Sequence, residues 1–407
     1  MASEQTFVIV GASLAGAKAA ETLRAEGFDG RVVLIGEEAE RPYERPMLSK
    51  EYLRGDKPAA KLYVHDEGFY ADNTIELLTG TRVASLDPGA HEITLQDGSR
   101  MPYSRLLLST GARPRRLPLP GADLPGVRYL RRMADSDDLR EAIKAASGVV
   151  VIGAGWIGSE VAASARQLGA EVAIVAPEAV PLERVLGAEL GGVYRDLHAQ
   201  HAVDLHLSTQ IEAIVGGEAA EGVRTTDGSV IEGDLIVVGV GVSPRDELAQ
   251  NAGLTLANAI VVDAFLRSSA PAVFAAGDVA ATWNTMYNRR IRMEHWANAL
   301  NQGQTAARNM LGQNTAYTKL PYFYSDQYDL GMEYNGFAAD WDRVVTRGDV
   351  AGREFLAFWL KDGRVLAGMN ANVWDQGDAI KALVRSGAAV DADRLVDLSI
   401  PLGDLAT

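Results

Sequence analysis

The chain has 407 residues, a formal net charge of −15 and no cysteine. That length is more than one simple core fills and points to two or three domains. The acidic balance argues against nucleic acid as a main partner, and the missing cysteines exclude a redox-active disulfide, thiolate-held zinc and a cysteine-ligated iron–sulfur cluster within this chain.

The N-terminal segment MASEQTFVIVGAS passes almost at once into an apparent strand, which leaves no room for a signal peptide. No apolar run reaches the roughly 18 residues that a membrane span needs. A cytoplasmic protein with no membrane partner is therefore expected. Phe7-Val8-Ile9-Val10 predicts a buried strand, Gly11-Ala12-Ser13-Leu14-Ala15-Gly16 a glycine turn, and the alanine-rich run through Leu23 and Arg24 a helix. Arg31-Val32-Val33-Leu34-Ile35-Gly36-Glu37 completes a βαβ unit. Further strands are expected at Glu92–Leu95 and Arg105–Leu108, with a turn at Asp97-Gly98.

The same layout then returns. Val149-Val150-Val151-Ile152 runs into Gly153-Ala154-Gly155-Trp156-Ile157-Gly158-Ser159-Glu160, an alanine-rich helix to Leu168, and the strand Val172-Ala173-Ile174-Val175. Val223–Thr225, a turn at Asp227-Gly228 and the apolar run Leu235–Val242 echo the intervals of the first half, so the two halves read as an internal repeat. His198, His201 and His206 form a loose group without a matching carboxylate pattern, so they are read as structural or solvated, and no metal site is expected. From about Thr315, strands at Phe355–Leu360 and Val365–Met369 around Asp362-Gly363, then a helix from Gln376 to Ser386, predict an α+β domain.

A glycine turn between strand and helix suits a dinucleotide. Its first glycine allows the tight turn, the second lets backbone approach a pyrophosphate, and the third lets helix and strand pack closely at the anion-attracting helix N-terminus. Gly11 and Gly16 carry the outer positions of the first copy, with Ser13 in the middle one; Gly153, Gly155 and Gly158 complete the second. Glu37, at the end of its strand, is placed to accept from a ribose. After Val175 comes Ala176-Pro177 where an acid is usual, and Glu178 follows; no arginine between Ala176 and Glu183 offers a 2′-phosphate clamp. NADH is the expected coenzyme, with NADPH left open.

The stretch Arg41-Pro42-Tyr43-Glu44-Arg45-Pro46-Met47-Leu48-Ser49-Lys50, with Leu108-Ser109-Thr110-Gly111 and Val273-Phe274-Ala275-Ala276-Gly277-Asp278, resembles the FAD-dependent ferredoxin reductases of bacterial oxygenase systems. Tyr129-Leu130-Arg131, Leu182-Glu183-Arg184-Val185 and Ser325-Asp326-Gln327 extend the resemblance along nearly the whole chain.

It implies a glutathione-reductase-like α/β fold: two Rossmann-like nucleotide-binding domains and an α+β C-terminal domain. Residues 1–112 and 246–315 would hold FAD, 113–245 NAD(P)H, and 316–407 would form the third domain. Transferred position by position, the resemblance places Gly11, Ser13, Leu14, Ala15, Gly16, Glu37, Arg45, Lys50, Val83, Thr110, Gly111, Arg131, Gly277, Asp278, Glu294, His295 and Trp296 at FAD. It places Gly153, Gly155, Trp156, Ile157, Gly158, Glu160, Glu178 and Gly241 at the nicotinamide nucleotide.

In similar enzymes a lysine beside the flavin pairs with the glutamate after the second turn, which implies catalytic roles for Lys50 and Glu160. Where relatives often have Phe-Trp-Ser, this chain reads Phe323-Tyr324-Ser325, leaving Tyr324 as the aromatic shield. The implied acceptor is a 2Fe–2S ferredoxin. Docking is offered by the clusters Arg289, Arg290, Arg292 and Arg113, Arg115, Arg116. Similar folds also serve reductases of quinones or the monodehydroascorbate radical and redox-regulated binding flavoproteins of the apoptosis-inducing-factor type, and the residues do not separate these. Disulfide reductases are excluded by the missing cysteines.

Overall fold

The computed structural model describes residues 5–405. They form two compact units built from discontinuous stretches. One takes the chain up to Glu44, 59–113 and 243–321; the other takes 45–58, 114–242 and the chain from Tyr322 onward.

In the first unit a parallel sheet has the spatial order Val273–Ala275, Arg105–Leu108, Thr6–Val10, Arg31–Ile35, Ile75–Leu78. Val8 lies opposite Val33 on one side and Leu106 on the other. All but the edge strand Ile75–Leu78 are buried on both faces, which is why they read as nearly unbroken apolar runs rather than as alternation. Strand order reverses beside Thr6–Val10, and such a switch point opens a crevice at the C-terminal strand ends. Helix Leu14–Ala25 crosses helix Trp296–Met310 so closely that a Cβ at Gly303 would lie 2.2 Å from the Ala15 carbonyl oxygen. A small antiparallel sheet, Val83–Asp87, Glu92–Leu95 and Arg100–Pro102, completes the unit.

The second unit repeats this plan. Its parallel sheet runs Asp204–His206, Val172–Val175, Val149–Ile152, Leu235–Val238, Val127–Arg128, and its small antiparallel sheet joins Ile211–Gly216, Ala220–Thr225 and Val230–Glu232. The internal repeat expected from the sequence is thus real at the level of sheet order. One boundary differs: the apolar run to Val242 ends as a strand at Val238. Gly239 packs on the turn glycine Gly158, its Cβ position 3.2 Å from the Gly158 Cα, and Gly241 turns the chain at φ +94°.

The same unit carries a five-stranded antiparallel sheet in the order Tyr322–Gln327, Leu330–Gly336, Arg364–Ala371, Glu354–Lys361, Arg343–Asp349. Two of these strands and the helix Gly377–Ser386 follow the sequence reading; the strands from Tyr322, Leu330 and Arg343 were not legible. Both faces of the sheet are covered, so strands Glu354–Lys361 and Arg364–Ala371 are buried nearly throughout, while the other three keep an alternating burial. Leu186, Leu190 and Tyr194 of helix Glu183–Gln200 pack with Phe323, Tyr334 and Trp359 on one face. On the other, Ile380 presses against Gly368, where a Cβ would meet it at 2.6 Å. Among the described residues no helix is long and apolar enough to cross a membrane.

Candidate functional site

Most of the residues matched to FAD gather in the first unit, at the C-terminal ends of its parallel strands. Gly11 has φ +120°, and a Cβ there would lie 2.1 Å from the Ser109 carbonyl oxygen; one at Gly16 would lie 2.1 Å from the Gly11 oxygen. The turn tolerates no side chain at either place, while Ser13 is the residue before helix Leu14–Ala25 and its side chain makes no capping bond. Thr110 and Gly111 follow strand Arg105–Leu108, and Gly277 and Asp278 follow Val273–Ala275. Gly277, at φ +81°, abuts Ala15, and its N–H donates to Gln302 Oε1 at 2.8 Å. Glu294, His295 and Trp296 lead into helix Trp296–Met310, and Val83 opens the small sheet as a buried residue.

Glu37 forms an ion pair with Arg245, a residue the sequence reading did not select. Arg245 is pinned at this point by its own main chain: its N–H donates to the Gly111 carbonyl at 2.9 Å, and its carbonyl accepts from Thr110 Oγ1 at 2.6 Å.

The geometry fits a dinucleotide. Two backbone positions that exclude a Cβ frame the turn, the Glu37 carboxylate follows the second strand of the unit, and among the described residues the buried Trp296 Nε1–H has no protein acceptor. An unmatched buried donor costs about 1–3 kcal/mol unless a ligand or water accepts from it.

The nicotinamide-nucleotide candidates all lie in the second unit. Gly153 has φ +101° with its Cβ position 2.6 Å from the Gly239 oxygen, and that of Gly158 is 2.0 Å from the Gly153 oxygen. Gly155 faces open space, as a pyrophosphate contact requires. Trp156 is half-buried against Phe323 and Tyr194, with ring centroids 5.0 and 6.0 Å away, whereas Ile157 and Gly241 are exposed. Glu178 pairs with Arg184 Nη2 at 2.7 Å.

Arg45, Lys50 and Arg131 also belong to the second unit, where Arg45 Nη1 donates to the Arg131 carbonyl at 2.6 Å. Lys50, Glu160 and Tyr324, the three catalytic candidates, are brought together. Lys50 Nζ lies 3.2 Å from Glu160 Oε2, with only 3% and 4% of the two residues exposed. The ammonium is 5.4 Å from the centre of the Tyr324 ring, within the range of a cation–π contact.

Neither charge could be held there by the other alone. Ser325 Oγ donates to Glu160 Oε1 at 2.7 Å, and Ser49 Oγ donates to Oε2. The loop that carries Lys50 is clamped in turn, because Ser164 Oγ donates to the Ser49 carbonyl at 2.7 Å and Ser136 Oγ to that of Leu48 at 2.8 Å. None of these four serines stood out as a site residue in the sequence, since partners 111 and 165 residues from one another leave no local signal.

The basic clusters proposed for docking are partly engaged within the protein. Arg290 Nη1 donates to the carbonyls of Val262 and Ala281, and Arg292 pairs with Glu294. Arg113 pairs with Glu247, Arg115 Nε donates to the Val242 carbonyl, and Arg116 stacks 4.3 Å from the Tyr129 ring centre.

Residues 5–303 match the pyridine nucleotide-disulphide oxidoreductase family, and residues 322–406 match the reductase C-terminal family. The chain belongs to the pyridine nucleotide-disulphide oxidoreductases, and as a member it is an FAD-binding oxidoreductase that uses NAD(H). It is 39% identical over 401 residues to the ferredoxin–NAD(+) reductase component of the anthranilate 1,2-dioxygenase system of Burkholderia cepacia, covering 98% of this chain and 99% of that protein. To putidaredoxin reductase of Pseudomonas putida it is 35% identical, over 100% of this chain and 97% of the other. The crystal structure of the covalent putidaredoxin reductase–putidaredoxin complex matches with a TM-score of 0.95 at 34% identity, covering 100% of this chain and 98% of that one. A ferredoxin reductase from Rhodopseudomonas palustris matches at TM-score 0.96 and 36% identity, over 99% and 100% of the two chains.

Proposed function

We propose that this chain is a cytoplasmic, FAD-containing NADH:ferredoxin reductase that supplies electrons to a 2Fe–2S ferredoxin serving an oxygenase. What carries the reading is a pair of dinucleotide-shaped glycine turns in a chain with no cysteine. Without a dithiol, an electron pair taken from a nicotinamide has no resting place on the protein other than the flavin, so it must go to an external acceptor. The relatives named above support a ferredoxin in that role.

In this reading residues 1–112 and 246–315 hold FAD, 113–245 hold the nicotinamide nucleotide, and 316–407 form the third domain. Bound FAD would supply the chemistry, accepting a hydride and releasing electrons singly. The chain's residues do the rest. Gly11, Gly16 and Gly277 keep side chains away from the dinucleotide, and Glu37 and Asp278 accept from its hydroxyls. Trp296 Nε1–H gains an acceptor. Lys50 presents a fixed positive charge, kept in place by the Glu160 carboxylate that Ser49 and Ser325 saturate. Tyr324 supplies an aromatic face beside that charge.

The test is an anaerobic titration of the holoprotein with NADH, then NADPH, followed by mixing with 2Fe–2S ferredoxins while the absorption spectrum is recorded. Bleaching of the flavin band by NADH and rapid transfer to a ferredoxin are expected. Rapid reduction of quinone with every ferredoxin ignored would reassign the chain to a small-acceptor reductase. Slow turnover with all acceptors and a long-lived reduced complex would make it a redox-regulated binding protein.

A further inference from the structure

The strand Val172–Val175 ends in Ala176-Pro177, so the acid that usually meets an adenosine ribose is missing from its expected place. Glu178 follows two residues later. The loop after the strand is held by three main-chain bonds: Ala176 N–H to the His206 carbonyl at 3.0 Å, Thr209 N–H to that of Ala176 at 2.9 Å, and Ser208 N–H to that of Glu178 at 2.8 Å. Helix Glu183–Gln200 begins next to the glycine turn, because Leu182 N–H donates to the Ala154 carbonyl at 2.9 Å. Glu183 is occupied by the loop itself, its Oε2 accepting from Ala179 N–H at 2.8 Å. That leaves Arg184 to pair with Glu178, at 2.7 Å.

The two partners are unequally held. The Glu178 side chain is only 21% exposed, while that of Arg184 is 81% exposed. A largely buried carboxylate is therefore paired with an exposed guanidinium. An exposed pair of this kind contributes about 0–1 kcal/mol to stability, so its placement is not explained by folding.

We infer that Glu178 and Arg184 set the choice between NADH and NADPH. The inference rests on reading the second glycine turn as the nicotinamide-nucleotide site. Glu178 accepts from the ribose 2′-hydroxyl and repels a 2′-phosphate. Arg184, neutralised by Glu178, is a latent phosphate ligand: removing the carboxylate's charge frees its planar guanidinium for bidentate contact with a 2′-phosphate. No arginine lies between Ala176 and Glu183; Arg184 is one residue beyond and arrives through the first turn of the helix.

The test measures binding of NAD+, NADP+ and 2′,5′-ADP to the oxidised holoprotein by calorimetry, with no turnover required. Wild type should prefer NAD+ over NADP+. E178Q should raise affinity for NADP+ and 2′,5′-ADP by about tenfold or more, the scale of one charge-assisted hydrogen bond. E178Q/R184A should lose that gain, and R184A alone should keep the preference for NAD+. Both nucleotides binding wild type with an unchanged ratio in E178Q would overturn the inference and leave the site intact. So would a gain that survives removal of Arg184. Binding of neither nucleotide to wild type would overturn the site reading and the inference with it.

Discussion

Lys50 and Glu160 illustrate what a single residue costs in this molecule. Taking either charge from water costs several kcal/mol, and the pair is stable because Lys50, Ser49 and Ser325 together satisfy the carboxylate. Removing one member leaves the other buried and uncompensated. K50M or E160Q alone should therefore destabilise the protein by about 3–5 kcal/mol, and the double variant by well under the sum. Chemical denaturation of the four proteins closes the cycle; strictly additive losses would show that the pair does not couple.

His198 makes a second prediction at this scale. It is fully buried in helix Glu183–Gln200 with Nε2 3.0 Å from Gln327 Oε1, and burial lowers its pKa from 6.5 to about 4. The neutral ring is thus the native form, with Nε2–H donating to the amide oxygen. Because the folded value lies below the unfolded one, the contribution is complete above about pH 6.5 and is lost as pH falls toward 4. The full loss is on the order of 3 kcal/mol at about 1.4 kcal/mol per unit. Denaturation midpoints of wild type and H198Q measured from pH 7 to 4 should converge as the pH drops. Parallel profiles would mean that His198 does not titrate with unfolding.

Among the elements, the crossing of helices Leu14–Ala25 and Trp296–Met310 governs the first glycine turn. Gly303 lies at the crossing, and a methyl group there would stand 2.2 Å from the Ala15 oxygen, one residue before Gly16. G303A must push the helices apart or shift the turn. An overpacking cost of about 1–3 kcal/mol is expected, together with faster release of flavin on dialysis. An unfolding midpoint and flavin content equal to wild type would show that the crossing has slack. Serine does comparable work in the other unit, where Ser136 and Ser164 hold the main chain that carries Lys50 and leave its side chain to Glu160.

On the scale of the whole molecule, the charge of −15 bears on the acceptor. An acidic reductase meets an acidic ferredoxin only through a local basic surface, and several arginines of the candidate clusters are already engaged internally. Docking through the remaining charge should be screened by salt, whose Debye length falls to about 3 Å at 1 M. Turnover with a 2Fe–2S ferredoxin should drop steeply from low to high ionic strength, while turnover with ferricyanide stays nearly level. Equal dependence for both acceptors would remove electrostatic docking from the account.

Much of this was legible in the chain alone. The two βαβ units, their glycine turns and the repeat between them are local patterns: parallel strands buried on both faces leave unbroken apolar runs, and a turn that excludes a Cβ demands glycine. The missing cysteines likewise determined, with no structure at all, that electrons cannot rest on a dithiol. Long-range partners were another matter. Three strands of the C-terminal sheet stayed hidden although their burial alternates, because polar residues such as Ser325, Gln327, Asn335 and Arg347 occupy buried positions and blur the apolar pattern. Ser325 on Glu160, Arg245 on Glu37 and Arg184 on Glu178 were equally out of sight. Side-chain spacing along the chain reports only neighbours within a helix turn or along a strand. Which hydroxyl saturates a buried carboxylate, and which arginine pairs with Glu37 or Glu178, was decided only when the tertiary structure brought those residues together.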